Sequence, residues 1–335
     1  ATGPVALLEE ALELRDQGVR APILVLGPLL SAQIPAAAAN DVAIGVIGPE
    51  ELRDVCRFAR QSGREVSVHL KLDSGMGRMG LLPGDLEEAA RLLLDAPGVR
   101  VDAIYSHFAN ASEPDSTSTE GQVTQFEAMV ARLAGLGITA PLRHFANSAA
   151  TFRKIVQPGD WVRAGLAIFG GEPLDDQHAR LEPVLRWSTQ IARLKRLPAG
   201  SPIGYGSTFV TARESLIATL PVGYGDGYNR GLSNCGEVLV RGRRAPVVGR
   251  VSMDLVTIDV TDVPSVRYGD EAVLIGEQGG ERITAEEIAA KIGTIPYEVL
   301  CAISVRVPRL YESRGRVLVA SRFRDERRAW PGTVE

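Results

Sequence analysis

Four stretches of the 335-residue chain bring reactive side chains together at short spacing: HLKLDSGMGRMG (69–80), HFANSAA (144–150), VRAGLAIFGG (162–171) and IGYGSTF (203–209). In the first, strand alternation puts Val66, Val68, Leu70 and Leu72 on one face and Ser67, His69, Lys71 and Asp73 on the other. Lys71 then stands near the end of an inward polar face, followed by a Gly-rich loop that carries Arg78. Tyr105 and His107 share a face at the end of a later apolar run, and a buried Lys or His there needs a partner. Asn147-Ser148 and Gly165-Leu166 offer a hydroxyl and backbone N–H groups after two successive strands, where barrels often build a phosphate cup. Gly165 admits close backbone approach.

Each of these side chains also has a bland reading when taken alone. Ser148 fits a helix cap, Arg163 a salt-bridge partner, and Tyr205 and His107 hydrogen-bonded, half-buried rings. Lys71 fits a structural lysine whose stem reaches the surface.

The elements that must position these residues follow a βα rhythm from Val5 to Gly170. Strands are expected at Val5–Leu7, Ile23–Leu26, Val42–Ile47, Val66–Leu72, Val101–Phe108, Leu142–Ala146 and Val162–Phe169. Between the third and fourth, Leu52, Val55, Cys56 and Ala59 fall on one helical face behind Pro49 and two glutamates. Further helices are expected at Asp85–Leu94 and Gly121–Leu136. So many βα units imply a (β/α)8 barrel, which places strand ends at the reactive face. Seven strands are one short of closure. The first residue is Ala1 and a strand is already under way at Val5, so the expectation is an N-terminally truncated barrel that lacks its first strand.

After the polar segment GEPLDDQHARLEP (171–183) the texture becomes mostly β, which divides the chain into residues 1–180 and 181–335. Runs at Leu185–Leu197, Ser215–Leu220, Val238–Val240, Pro246–Ser252, Val256–Val260 and Ala272–Ile275 alternate with turns rich in Gly, Asp and Arg. One helix, Thr284–Ile292, opens with a Thr284/Glu287 capping box, and RFRDERRAW (322–330) reads as a solvated tail.

A net charge of −4 provides no basic field for nucleic acid or an anionic membrane. Cys56, Cys235 and Cys301 are three and far apart, which argues against disulfides and structural zinc and for buried thiols in a reducing cytoplasm. No metal site is expected. No apolar run reaches the length of a membrane span.

With LPVGYGDGYNR (220–230), VVGRVSMD (247–254), IPYEVLCAIS (295–304) and RVPRLY (306–311) added, the motifs run in order along nearly the whole chain. Together they resemble the bacterial alanine racemases, whose fold joins a barrel that binds pyridoxal 5′-phosphate (PLP) to a C-terminal β domain. The resemblance implies interconversion of L- and D-alanine, which supplies D-alanine for peptidoglycan. It also implies the roles of individual residues. Tyr205 matches the tyrosine that acts as base on the L-enantiomer; since a phenol's ordinary pKa is about 10, His107 and Arg163 would support it through a hydrogen-bonded relay. Arg163 matches the partner of the PLP ring nitrogen, which an arginine leaves unprotonated. Asn147, Ser148, Gly165, Leu166 and Tyr297 match phosphate-binding positions. Arg78 matches the arginine that contacts the PLP phenolic oxygen and the substrate carboxylate. Lys71 matches a lysine that is carbamylated in many members and would then orient Arg78. Met253, with Asp254, matches the position whose backbone meets the substrate, and Tyr224 matches the entry gate. In this family Tyr205, Tyr224 and Met253 complete the neighbouring subunit's site, which implies a homodimer.

The chain also departs from the pattern. The family's KAxAYGHG-type segment, whose lysine forms the Schiff base and acts as second base, does not occur, and Lys154, Lys195 and Lys291 lack its setting. The expectation is therefore a chain inactive by itself. Ser252 and Val305 stand where cysteine and tyrosine are common, and VLC replaces VPC. These changes leave the reaction class intact and blur side-chain specificity. Two other readings share most of the motifs: a racemase of another amino acid such as serine, and a non-catalytic PLP-fold binding module.

Overall fold

A computed structural model describes residues 3–113, 115, 117–155, 161–171 and 181–321. Contacts divide these residues into two compact units, one running to Ile168 and the other holding Phe169–Gly171 and residues 181 onward. Residues 172–180 of the polar segment and the tail RFRDERRAW lie outside the described residues.

The first unit is a nearly closed parallel barrel of seven strands paired in sequence order. They are β1 (Gly3–Val5), β2 (Ile23–Val25), β3 (Val42–Val46), β4 (Val66–Lys71), β5 (Val99–Tyr105), β6 (Leu142–Asn147) and β7 (Trp161–Arg163). The helices are α1 (Leu8–Asp16), α2 (Ile34–Ala39), α3 (Pro49–Ser62), α4 (Leu86–Leu94), α5 (Thr117–Gly135) and the short α6 (Ser148–Phe152). Helix α3 shows how local sequence sets the pattern. Pro49 opens it, Gly63 ends it in the left-handed region at φ 65°, and Leu52, Val55, Cys56 and Ala59 are all buried. Burying a side chain of the size of Leu52 or Val55 contributes about 2 kcal/mol. In β4 the apolar alternate residues Val66, Val68, Leu70 and Leu72 join that hydrophobic cluster, which leaves His69 and Lys71 to the barrel interior.

The second unit is mostly antiparallel. Its strands are β8 (Trp187–Gln190), β9 (Arg193–Leu197), β10 (Pro202–Ile203), β11 (Phe209–Val210), β12 (Ser215–Leu220), β13 (Glu237–Val240), β14 (Arg243–Pro246), β15 (Val256–Asp259), β16 (Glu271–Gln278), β17 (Glu281–Ile283), β18 (Arg309–Ser313) and β19 (Arg316–Ser321). Two helices, α7 (Ala285–Ile292) and α8 (Pro296–Cys301), pack on each other.

Several boundaries depart from the sequence reading, each for a local reason. The first strand ends at Val5 instead of Leu7, because the Glu10 carboxylate accepts the N–H groups of Ala6 and Leu7 and starts α1. The expected Val101–Phe108 strand begins at Val99 and ends at Tyr105. In place of the expected Val162–Phe169 strand, β7 runs from Trp161 to Arg163, and Leu166–Phe169 forms a 3₁₀ turn that an apolar run alone does not reveal. The single strand expected at Leu185–Leu197 is two, since β8 pairs with β16 while β9 pairs with β12, so the chain changes sheets at Ile191 and Ala192. Pro246–Ser252 is largely loop, with Gly249 at φ 79° against Ile203. Helix α8 is too short for its periodicity to have marked it. Thr284 caps α7 by accepting the Glu287 N–H, but the Glu287 carboxylate turns to Arg244 and Lys291, so only half of the expected box forms. Of the cysteines only Cys56 is buried; Cys235 and Cys301 are exposed, and all three are free. Among the described residues no helix is long and apolar enough to cross a membrane, and no cluster of potential metal ligands occurs.

Candidate active site

Strands β4 to β7 each contribute to one cluster of cationic and ring side chains: His69 and Lys71 from β4, Tyr105 from β5, His144 from β6 and Arg163 from β7. Arg163, the last residue of β7, is the centre of the array. Its Nη1 donates to His144 Nδ1 at 2.6 Å and to the His144 carbonyl at 2.9 Å. Its Nη2 donates to the carbonyls of Ser106 at 2.7 Å and Phe145 at 3.1 Å, and to His107 Nδ1 at 3.1 Å. Of the guanidinium's five N–H groups, Nε–H alone has no hydrogen bond to a described residue. Burial pushes the Arg163 pKa down to about 10, still well above neutral pH.

The surrounding rings are held neutral. His144 stacks on Tyr105 at 4.6 Å between centroids and lies 2.8 Å from His69. Burial, with Arg163 second, drives the His144 pKa far below the usual imidazole range. His107 is lowered to about 4 by burial and then by Arg163, Lys71 and Arg78, and His69 to about 4 chiefly by burial. The Tyr105 hydroxyl is buried without a partner among the described residues, and burial raises its pKa.

Lys71 ends β4 with its side chain 5% exposed and its Nζ 5.8 Å from the centre of the Tyr105 ring. Burial, then the like charges of Arg78 and Arg163, lower its pKa to about 8, against the attraction of Asp73. Arg78 lies exposed in the loop that follows. That loop is drawn tight by Asp73, whose Oδ1 accepts the N–H groups of Gly75, Met76 and Gly77. Its ends meet through a Leu72/Leu81 bridge, and Gly80, at φ 129°, leaves no room for a Cβ beside the Asp73 nitrogen.

Asn147 and Ser148 divide their expected tasks. Asn147 is the N-cap of α6, its Oδ1 accepting from Ala150 N–H, so the cap reading weighed for Ser148 belongs to its neighbour. Ser148 Oγ accepts from Gly165 N–H at 3.0 Å and Ala167 N–H at 3.4 Å, which leaves its own proton to donate. A Cβ at Gly165 would meet nothing within 4 Å, and Leu166 is buried. These features fit PLP: a hydroxyl donor for a phosphate with open space beside Gly165, whose own N–H is engaged by Ser148, cations for its charge, and one uncommitted Arg163 N–H for a ring nitrogen.

The remaining expected residues lie in the second unit. Tyr205 opens a short turn between Gly204 and Gly206, both at positive φ, and is 73% exposed. Tyr224 N–H donates to the Ser252 carbonyl and Gly225 N–H to that of Met253, which ties two loops together. Met253 is 54% exposed. The Asp254 carboxylate is occupied by Arg306 at 2.8 Å, and Arg306 also holds Asp226 at 2.7 Å. Tyr297 is half-buried in α8, and burial raises its pKa. The sequence reading did not assign His144 or His69 a role. For His69 the signal was present in strand alternation, which put it on the inward polar face of β4; His144 alternates with Leu142 and Ala146 and carried no such signal.

Residues 4–173 match the family model described as the alanine racemase N-terminal domain, and residues 184–311 that of the alanine racemase C-terminal domain. The chain is 43% identical to alanine racemase 2 of Caldanaerobacter subterraneus subsp. tengcongensis over 93% of its length and 81% of the relative's. It is 45% identical to the alanine racemase of Halothermothrix orenii, over 92% of its length and 82% of the relative's. Among solved structures, the alanine racemase of Bacillus anthracis with bound L-Ala-P superposes with a TM-score of 0.88 at 38% identity, covering 95% of this chain and 83% of that one. The Bartonella henselae alanine racemase with covalently bound pyridoxal phosphate gives a TM-score of 0.82 at 28% identity, covering 90% and 82%.

Proposed function

The chain belongs to the alanine racemase family, a PLP-dependent family of isomerases, and from that premise we propose that it binds PLP and interconverts L- and D-alanine by two-base proton transfer. The observation that carries the reading is the Arg163 guanidinium, whose other donors are all engaged while Nε–H is left for a ligand. PLP, when bound, spreads the negative charge that remains when the α-proton leaves. Arg163 keeps the ring nitrogen that faces it unprotonated, which limits how far that charge is withdrawn and favours return of the proton over side reactions.

Ser148 donates its free hydroxyl proton to the phosphate; Asn147, Gly165, Leu166 and Tyr297 complete the cup. Arg78 holds the substrate carboxylate through its planar fork. Lys71, with its amine lowered to about 8, is a nucleophile towards CO₂ at neutral pH; the carbamate, formed with loss of a proton to solvent, turns a cation beside Arg78 into an anion that orients it. Tyr205 takes the α-proton of L-alanine, supported by His107 and Arg163. Met253 and Asp254 present backbone to the substrate and Tyr224 lines its entry. Tyr205, Tyr224 and Met253 serve the site of a second copy in a homodimer. The domains divide at 180/181, the enzyme works in the cytoplasm, and its D-alanine feeds peptidoglycan.

The second base is a lysine that none of the four in this sequence provides. Lys71 has the carbamate role, Lys154 and Lys195 are exposed, and Lys291 is paired with Glu237 and Glu287. The 335-residue chain mixed with PLP and L-alanine is therefore expected to yield no D-alanine. The same chain joined behind a KAxAYGHG-type segment is expected to be yellow, to lose colour with borohydride, and to racemise alanine. In that fusion Tyr205→Phe lowers L-alanine turnover by about 10³. A fusion that stays colourless and leaves alanine's configuration unchanged overturns the reading.

A further inference from the structure

Arginine has no acceptor, so the 2.6 Å contact between Arg163 Nη1 and His144 Nδ1 is an N–H donated to the ring. That nitrogen carries no proton, and the neutral imidazole keeps its proton on Nε2. Nε2 lies 2.8 Å from His69 Nδ1, so His144 donates and His69 accepts. His69, its Nδ1 occupied as an acceptor, carries its own proton on Nε2. Donation thus runs in one direction from the guanidinium through two imidazoles and fixes both tautomers. The other His144 tautomer would set two N–H groups head to head across 2.6 Å.

Among the described residues, no other acceptor for His144 Nε2–H is found. The Tyr105 ring covers its face at 4.6 Å. Asp102, whose charge His69 feels, has its carboxylate engaged by Ser67 Oγ and Arg100. His69 itself is 4% exposed on β4, between the apolar alternates that face the helices. A buried imidazole of no consequence would be an expensive choice there, since burial without a partner is costly.

We propose that His69 is a positioning residue for Arg163. By accepting the His144 Nε2 proton it holds the Nδ1 lone pair towards the guanidinium, which keeps Nη1 engaged and turns Nε–H to the ligand. The proposal rests on the reading of Arg163 as partner of the PLP ring nitrogen, and it extends the array by two residues, His144 and His69, beyond that arginine.

The test uses the chain with its histidines ¹⁵N-labelled, without coenzyme. The imidazole shifts are expected to give His144 as the Nε2–H tautomer, with an N–N scalar coupling across the hydrogen bond to His69 Nδ1. His69→Gln, whose amide oxygen accepts, keeps that tautomer. His69→Met, which does not accept, moves the His144 tautomer ratio about tenfold towards Nδ1–H, the factor that one net hydrogen bond supplies. PLP affinity, followed by absorbance, falls by about the same factor in the Met variant and stays close to the parent in the Gln variant. A His144 protonated on Nδ1 in the unaltered chain overturns the proposal, as does a Met variant with unchanged tautomer and affinity. If the Met variant does not fold, the Gln variant decides: a retained tautomer supports the role and a lost one overturns it. A chain with the expected tautomers that takes up no PLP instead overturns the functional reading.

Discussion

The barrel interior and the loops of the second unit hold the residues proposed for function by opposite means. In the barrel, Lys71, His69, His144 and Arg163 are buried or nearly so, and His69, His144 and Arg163 are fixed by one another and by carbonyls. In the second unit, Tyr205, Tyr224 and Met253 expose their side chains, and it is the backbone that is fixed, through Tyr224 to Ser252, Gly225 to Met253 and the glycines beside Tyr205. Most residues proposed for the cofactor are therefore prebuilt in the barrel, Tyr297 in the second unit being the exception. Most of those proposed for the substrate, Arg78 apart, are exposed in the second unit, with their geometry stored in turns.

The strongest way to break this contrast is to remove its centre. Arg163→Met leaves carbonyls and imidazole nitrogens buried without donors and is expected to cost about 4 kcal/mol of barrel stability, read by urea unfolding. A loss below about 1 kcal/mol would place the array nearer solvent than its burial indicates.

Acid provides the next test. The folded pKa of His69 is lowered to about 4 from an ordinary value of about 6.5, so between these values the unfolded chain binds a proton that the folded chain refuses. Its contribution is present above pH 6.5 and lost as pH falls towards 4, worth about 3 kcal/mol at the limit. His107 adds in the same direction. Unfolding followed against pH in the coenzyme-free chain is expected to show the barrel weakening over this window, and a pH-flat stability would contradict neutral buried rings.

Gly80→Ala probes the loop rather than the array. Positive φ and a Cβ 2.5 Å from the Asp73 nitrogen predict a loss of about 2 kcal/mol with the Arg78 loop displaced, visible as faster amide exchange at residues 75–77. The smallest effect is expected in the second unit. Arg306→Ala removes partly exposed pairs to Asp226 and Asp254 and is expected to leave thermal unfolding almost unchanged, since solvent screens such pairs. If it costs as much as the barrel substitutions, the second unit stores its geometry in side chains after all.

Legibility in the sequence followed the same divide. Strands buried on both sides, such as Ile23–Val25 and Val42–Val46, stand out as apolar runs, and α3 was recoverable to its individual buried positions because proline, first-turn glutamates and periodicity agreed. Alternation along β4 also showed which residues face inward. The join between β8 and β9 was not legible, since a change of sheet depends on which distant strand offers hydrogen bonds and not on the run itself. Neither was the fate of Glu287, whose pairing with Arg244 and Lys291 is a tertiary outcome. Among the proposed site residues, motifs pointed to Arg163 and Ser148. What each nitrogen and oxygen does, above all the path from Arg163 to His69, required distances.

The bridge between Leu72 and Leu81 makes residues 73–80 leave and rejoin the barrel wall at adjoining points. Such a segment behaves as a cassette. It can be lengthened, shortened or exchanged without shifting the register of β4, so the reach of the arginine it carries can diverge among descendants while the ring-and-guanidinium interior stays unaltered.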